Sequence, residues 1–115
     1  MSVTIYHNPK CSKSRQTLEL LKEKGITPTI VEYLKTPPTA EKLKEILAQL
    51  KITPHDLLRK KEDEYAEYNL GNPSLSDTDL INSMIEHPIL IERPIVLAND
   101  KAALGRPPEQ VLGIL

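Results

Sequence analysis

The spacing of apolar residues along this chain alternates between the pattern of strands and that of helices, and each change marks the start of a new element. Val3-Thr4-Ile5-Tyr6 is β-branched and aromatic, the composition of a short buried strand. From Ser12 the spacing turns helical: Leu18 and Leu21 fall three apart with Leu20 beside them, and Gly25 stands just past the end, where a helix stops. Thr29-Ile30-Val31-Glu32-Tyr33 then reads as a second strand. Strand, helix and strand in this length predict a right-handed βαβ unit with parallel strands. The turn after the first strand lies at its carboxyl end, where open α/β sheets place their sites.

The middle of the chain is helical throughout. Pro37-Pro38 breaks the preceding strand, Thr39 can cap, and Leu43, Ile46, Leu47 and Leu50 follow the i, i+3, i+4, i+7 spacing of one helix face. Thr53-Pro54-His55-Asp56 starts another helix, with proline in its first turn and an acid where a capping box wants one. That helix is expected to run on through Leu57-Leu58-Arg59. Ser76-Asp77-Thr78-Asp79 repeats the design ahead of Leu80, Ile81, Met84 and Ile85, and Pro88 ends that helix. Gly71-Asn72-Pro73 is a turn between helices and not a domain boundary.

Strands return at the end. Ile95-Val96-Leu97 is an apolar run, Asn99-Asp100 marks a turn, and Lys101 to Leu104 can pair back as a hairpin. A short helix is expected around Glu109 to Leu112. The order β-α-β, helices, β-β-α is a thioredoxin-like α/β topology with a helical insertion between the second and third strands, from about residue 37 to residue 87. In that topology Pro94, directly before the third strand, stands where a cis-proline flanks the reactive cysteine. The 115 residues are expected to form a single domain, 1–115, large enough for one core and too small for two.

Composition narrows the function by exclusion. Fifteen basic against sixteen acidic residues leave a net charge of −1, which provides no global field for nucleic acid or an anionic membrane, so any anion site must be local. Trp and Phe are absent and only Tyr6, Tyr33, Tyr65 and Tyr68 are aromatic, which leaves no base-stacking platform. No apolar stretch approaches the roughly 20 residues of a membrane span, and no secretory h-region is visible. The expected compartment is the cytoplasm, which a lone reduced cysteine fits. One Cys with His7, His55 and His87 has no zinc-ligand spacing, and the four glycines include no Gly-x-Gly-x-x-Gly, so neither a metal nor a bound cofactor is expected.

The one cysteine, Cys11, lies in His7-Asn8-Pro9-Lys10-Cys11-Ser12-Lys13-Ser14-Arg15, on the turn between first strand and first helix. Backbone N–H groups and the positive helix end favour thiolate over thiol there, and Lys10, Lys13 and Arg15 add positive charge. These basic and hydroxyl neighbours argue against a buried, inert thiol. His7 is either a further cation beside Cys11 or a strand-end residue hydrogen-bonded to the loop. Asn8 can hold the loop through side-chain to backbone bonds. Ser14 stands where a Cys-x-x-Cys motif has its second sulfur, and its hydroxyl can bond either the thiolate or the backbone. With no second cysteine, any redox turnover must draw on a thiol from outside.

Three arginines stand out by their surroundings: Arg59 after Leu57-Leu58, Arg93 before Pro94, and Arg106 between Gly105 and Pro107. Each can instead be solvated or paired with Glu62, Glu92 or Glu109. The proposed hairpin brings Arg93 and Arg106 to one edge of the sheet. Guanidinium groups bind tetrahedral oxyanions by paired N–H donors and keep their charge. They would also neutralise an anionic substrate that otherwise repels a thiolate.

These residues carry a family resemblance over essentially the full length. The chain resembles the glutaredoxin-coupled arsenate reductases with a single active-site cysteine. The likeness rests on the Cys11 loop, on Leu57-Leu58-Arg59, on His87-Pro88-Ile89-Leu90-Ile91-Glu92-Arg93-Pro94-Ile95-Val96, and on Gly105-Arg106-Pro107. It implies that Cys11 attacks arsenate bound by Arg59, Arg93 and Arg106. It implies further that glutathione, as co-substrate, attacks the arsenylated cysteine and that glutaredoxin reduces the mixed disulfide. Two other readings use the same fold. A glutathione-dependent thiol reductase of unknown substrate would keep Cys11 without needing the arginines. A redox-responsive transcriptional regulator would bind RNA polymerase, but Ser14 breaks the Cys-x-x-Cys loop that disulfide-sensing members carry.

Overall fold

The computed structural model of the chain describes residues 2–115, which form two compact units. One runs from the N-terminal segment through Thr36 and resumes at Arg93–Leu115; the other is Pro37–Glu92. The first unit holds a four-stranded sheet of β1 (Val3–Tyr6), β2 (Thr29–Val31), β3 (Ile95–Ala98) and β4 (Lys101–Leu104), in the order β2-β1-β3-β4. β1 and β2 are parallel and joined through α1 (Ser12–Glu23), as the strand–helix–strand spacing predicts. β3 lies antiparallel on β1, and β4 antiparallel on β3. Asn99 and Asp100 turn that hairpin with φ of 54° and 59°, the left-handed pair that a two-residue turn between twisted strands requires. The result is a thioredoxin-like sheet.

Burial explains the strand lengths. β1 is central, and Val3, Ile5 and Tyr6 are all buried, so its apolar run is nearly continuous instead of alternating. β2 is an edge strand with Thr29 and Ile30 exposed, and it ends at Val31, two residues short of the sequence expectation. The chain turns there, with the N–H groups of Lys35 and Thr36 donating to the Glu32 carbonyl, while Tyr33 is buried at 1% exposure. Leu21 of α1 joins Val3, Ile5, Val96, Ala98 and Val111 in the core of this unit. α1 stops two residues before Gly25, whose φ of 76° is the left-handed conformation expected of a glycine just past a helix. The C-terminal element is a 3-10 helix, Pro108–Ile114, where the sequence suggests an α-helix; Gly113, a weak helix former, sits in its last turn.

The second unit is built on caps and one apolar face per helix. α2 (Ala40–Leu50) is capped by Thr39, whose hydroxyl accepts from the Lys42 N–H, and it buries Leu43, Ile46 and Leu47. α3 (Pro54–Leu57) and α5 (Asp77–Glu86) both begin with full capping boxes, Thr53 with Asp56 and Ser76 with Asp79. The Thr53 N–H and hydroxyl hold the Asp56 carboxyl below its ordinary pKa. α2 and α3 pack on α5, with α4 (Asp63–Glu67) between α3 and α5 in sequence and a 3-10 turn, Pro88–Leu90, after α5. His55 bonds the Tyr65 hydroxyl, and His87 stacks on Tyr68, which accounts for both histidines structurally.

One expectation fails in this unit. α3 stops at Leu57, so Arg59 is not on a helix. Leu58 is extended (φ −71°, ψ 137°) and pairs with Ile91; the Arg59 N–H donates to the Leu90 carbonyl and the Glu92 N–H to the Leu57 carbonyl. Two buried apolar residues, Leu58 at 3% and Ile91 at 2% exposure, favour this antiparallel bridge over another helical turn. Among the described residues no helix is long and apolar enough to cross a membrane.

Candidate active site

Three loops of the first unit meet the same end of its sheet. Tyr6, the last residue of β1, pairs with Ile95, the first of β3, and Ile95 pairs with Leu104, the last of β4. The register therefore gathers the loop after Tyr6, the segment before Ile95 and the segment after Leu104. These carry His7 to Cys11, Arg93-Pro94 and Gly105-Arg106 respectively. Arg59 lies in the other unit.

Cys11 is the N-cap of α1, with extended backbone (φ −95°, ψ 124°), and no side-chain cap bond is made there. Its N–H donates to the Asn8 carbonyl and its carbonyl accepts from the Arg15 N–H, both at 3.0 Å. The cysteine thus sits at the open end of the helix, among N–H groups without intrahelical partners. It is only 8% exposed, more covered than its polar neighbours suggest, while Pro9, Lys10, Ser12 and Lys13 around it are exposed.

The loop is held by a small buried polar cluster. Ser14 Oγ accepts from the Asn8 N–H at 3.0 Å and shares a hydrogen bond of 2.5 Å with His7 Nδ1. Asn8 Oδ1 accepts from the Lys10 N–H, the side-chain turn expected of it, and Arg15 Nη1 donates to the Pro9 carbonyl. His7 is 6% exposed, and burial is the main cause lowering its pKa. Glu32 opposes that shift, while Arg15 and Lys22 add to it. Of the two readings of His7, this geometry fits the hydrogen-bonded strand-end residue; the same burial disfavours a cation. Ser14 in turn spends its hydroxyl on His7 and Asn8.

The other two loops are joined to each other: Arg106 Nε donates to the Arg93 carbonyl at 2.9 Å, and the Gly105 N–H donates to the Pro94 carbonyl at 2.9 Å. The Arg93–Pro94 and Arg106–Pro107 peptides are both cis. Arg93 is half-buried, with Nε and Nη1 shielded from solvent. Gly105 enters the sequence reading only as a neighbour of Arg106, with no role of its own. A Cβ there would lie 2.4 Å from Thr17 Oγ1 and 2.7 Å from Pro94 Cγ, so only glycine lets this segment, Pro94 and α1 come so close. A lone glycine after a strand gives no sign of such a contact.

In the second unit, Arg59 has the partner that the sequence offered as an alternative. Its Nη1 lies 2.7 Å from Glu62 Oε1, and its Nε lies 3.9 Å from Glu92 Oε1. A cleft of about 820 Å³ also runs along α1 in the first unit, lined by His7, Ser12, Arg15 and Glu109 among others, but Cys11 is not part of its wall. Among the described residues no three His, Cys, Asp or Glu side chains gather as a metal ion requires.

Sheet order, helix-capping cysteine and proline before β3 define a thioredoxin-like thiol protein. The ArsC family model matches residues 6–114, and the chain belongs to that family. Among its relatives, "Uncharacterized protein YfgD" of Escherichia coli is 55% identical over 114 residues, which are 98% of this chain and 96% of that protein. "Arsenate reductase" of Rhizobium meliloti is 50% identical, over 100% of this chain and 82% of its own length. The solved arsenate reductase from Vibrio cholerae superposes with a TM-score of 0.98 at 56% identity, covering 100% of this chain and 98% of the other.

Proposed function

We propose that this protein is an arsenate reductase that uses Cys11 as nucleophile and takes its electrons from glutathione and glutaredoxin. The observation that carries the reading is the position of Cys11: a lone cysteine capping α1, at the sheet end that also holds Arg93-Pro94 and Gly105-Arg106. Full-length similarity to relatives named arsenate reductase supports it.

In this scheme Arg59, Arg93 and Arg106 bind the tetrahedral oxyanion and offset its charge. The Cys11 thiolate attacks arsenic(V), the sulfur–arsenic bond forms, and an arsenic-bound hydroxyl takes a proton from solvent and leaves as water. A glutathione thiolate then attacks the Cys11 sulfur. The sulfur–arsenic bond breaks with its electron pair going to arsenic, which departs as arsenite, and a Cys11–glutathione disulfide remains. A glutaredoxin thiolate takes the glutathione and returns Cys11 as thiolate. Two thiols supply the two electrons, so no bound cofactor or metal is called for. Arsenate and phosphate are alike in size and charge, so selectivity comes from the reducibility of arsenic(V). His7, Asn8 and Ser14 hold the loop, and Pro94 shapes the wall beside it. The need for reduced glutathione places the reaction in the cytoplasm.

The test is arsenate-dependent NADPH oxidation coupled through glutathione, glutaredoxin and glutathione reductase. Turnover is expected from the native chain and none from Cys11→Ser, whose hydroxyl is no nucleophile near neutral pH. Absence of arsenate-dependent oxidation in the native chain, with the coupling enzymes shown to be active, overturns the reading.

A further inference from the structure

Arg59 is built into a frame that already holds two carboxylates. The Leu58–Ile91 bridge, with the Arg59 N–H on the Leu90 carbonyl at 2.8 Å and the Glu92 N–H on the Leu57 carbonyl at 3.0 Å, fixes Arg59 and Glu92 on facing segments. The Glu62 N–H donates to the Arg59 carbonyl at 3.2 Å, which fixes Glu62 one turn further on. The three side chains are only 21%, 23% and 26% exposed for Arg59, Glu62 and Glu92, so solvent screens their charges incompletely.

A guanidinium offers an oxyanion two forked edges, Nη1 with Nη2 and Nε with Nη2. Glu62 Oε1 sits on Nη1 at 2.7 Å, within hydrogen-bond distance, and Glu92 Oε1 flanks Nε at 3.9 Å. Glu62 therefore occupies one donor of the Nη1–Nη2 fork, whereas Glu92 is too far to hydrogen-bond Nε and acts by its charge alone. A tetrahedral oxyanion can take the Nη1–Nη2 fork in full only by displacing Glu62, and it approaches against the negative charge of both carboxylates.

We propose that Glu62 is an internal competitor for Arg59, a carboxylate that occupies the guanidinium until a multiply charged tetrahedral oxyanion exchanges with it. This rests on the reading of Arg59 as an oxyanion ligand. Glu62 acts through Arg59 and touches no reacting atom, so it sets the affinity for the anion and leaves the chemical steps alone. Glu92, further from the guanidinium, has the smaller share.

The experiment is calorimetric titration of the full chain with arsenate, compared for the native protein, Glu62→Gln, Arg59→Met and the double variant. Glu62→Gln is expected to tighten arsenate about three- to tenfold. In coupled turnover it should lower KM by a similar factor and leave kcat unchanged. In the Arg59→Met background the same substitution should change nothing. Weaker or unchanged binding in Glu62→Gln overturns the proposal, since Glu62 would then orient Arg59 and not compete for it. Equal tightening with and without Arg59 also overturns it, by reducing the effect to a general field. A different result, Arg59→Met binding arsenate as the native chain does, removes Arg59 from the oxyanion site and so marks failure of the underlying reading. Glu62→Asp, which keeps the charge but shortens its reach, serves if the glutamine variant does not fold; an intermediate tightening is expected, and its absence counts against the proposal.

Discussion

Ser14 is fully buried, and its hydroxyl meets two demands at once. A serine Oγ has one proton to give and two lone pairs to receive with. It receives the Asn8 N–H, and its proton can go to Nδ1 of a neutral His7, which calls for the tautomer protonated at Nε2. Ser14→Ala strands both partners inside the loop. A loss of about 1–3 kcal/mol is expected, read by denaturant unfolding, because a buried polar group left unpaired costs its full desolvation. The pH dependence follows from His7. Its pKa in the folded chain lies below the ordinary imidazole value of 6.5. As pH falls past that value the unfolded chain takes up the proton first, so stability drops until the folded imidazole is protonated too. Melting temperature should therefore decline from pH 7 towards pH 5, and His7→Gln should flatten that limb. An equal decline in both proteins would show that other groups set the acid limb.

At the scale of elements, the contact of Gly105 with Thr17 and Pro94 ties the β4 exit, the β3 entrance and α1 together. Thr17 is held in place by its own bond to the Lys13 carbonyl at 2.8 Å. Gly105→Ala puts a methyl where no space exists, and overpacking of this kind costs about 1–3 kcal/mol. Thermal melts should show that loss, and Thr17→Ala in the same chain should recover part of it by opening room. Full stability in Gly105→Ala alone would mean that the segment shifts freely. The sheet core makes a simpler prediction. Leu21 is fully buried in it, so Leu21→Ala should cost about 2–5 kcal/mol in equilibrium unfolding through lost burial and the cavity left behind.

For the molecule as a whole, the decisive fact is that its only cysteine is Cys11. The chain has no thiol with which to resolve its own oxidised form. Thioredoxin alone should therefore support little arsenate-dependent turnover, and glutathione with glutaredoxin much more. Mass spectrometry after arsenate and glutathione should find one glutathione adduct, on Cys11. Full turnover with thioredoxin and no glutathione would refute the external-thiol scheme.

The sequence by itself determined the elements whose cause is local. The strand–helix–strand opening, the three hydroxyl caps at Thr39, Thr53 and Ser76, the Gly25 stop and the Asn99-Asp100 turn are all legible, because each depends on neighbours a few residues away. The helix start beside Cys11 was legible for the same reason: the apolar spacing turns helical at Ser12, where α1 begins. Tertiary structure decided what depends on distant partners. The end of α3 at Leu57 is set by Ile91, more than thirty residues further along, and β2 is shortened by the turn at Glu32 and the burial of Tyr33. Local spacing offered Glu62 to Arg59, but only the bridge that carries Glu92 back brings a second carboxylate near the same guanidinium. Likewise, a glycine after a strand is ambiguous until Thr17 and Pro94 are packed against it. Periodicity records which face of an element is buried; it does not record what that face meets.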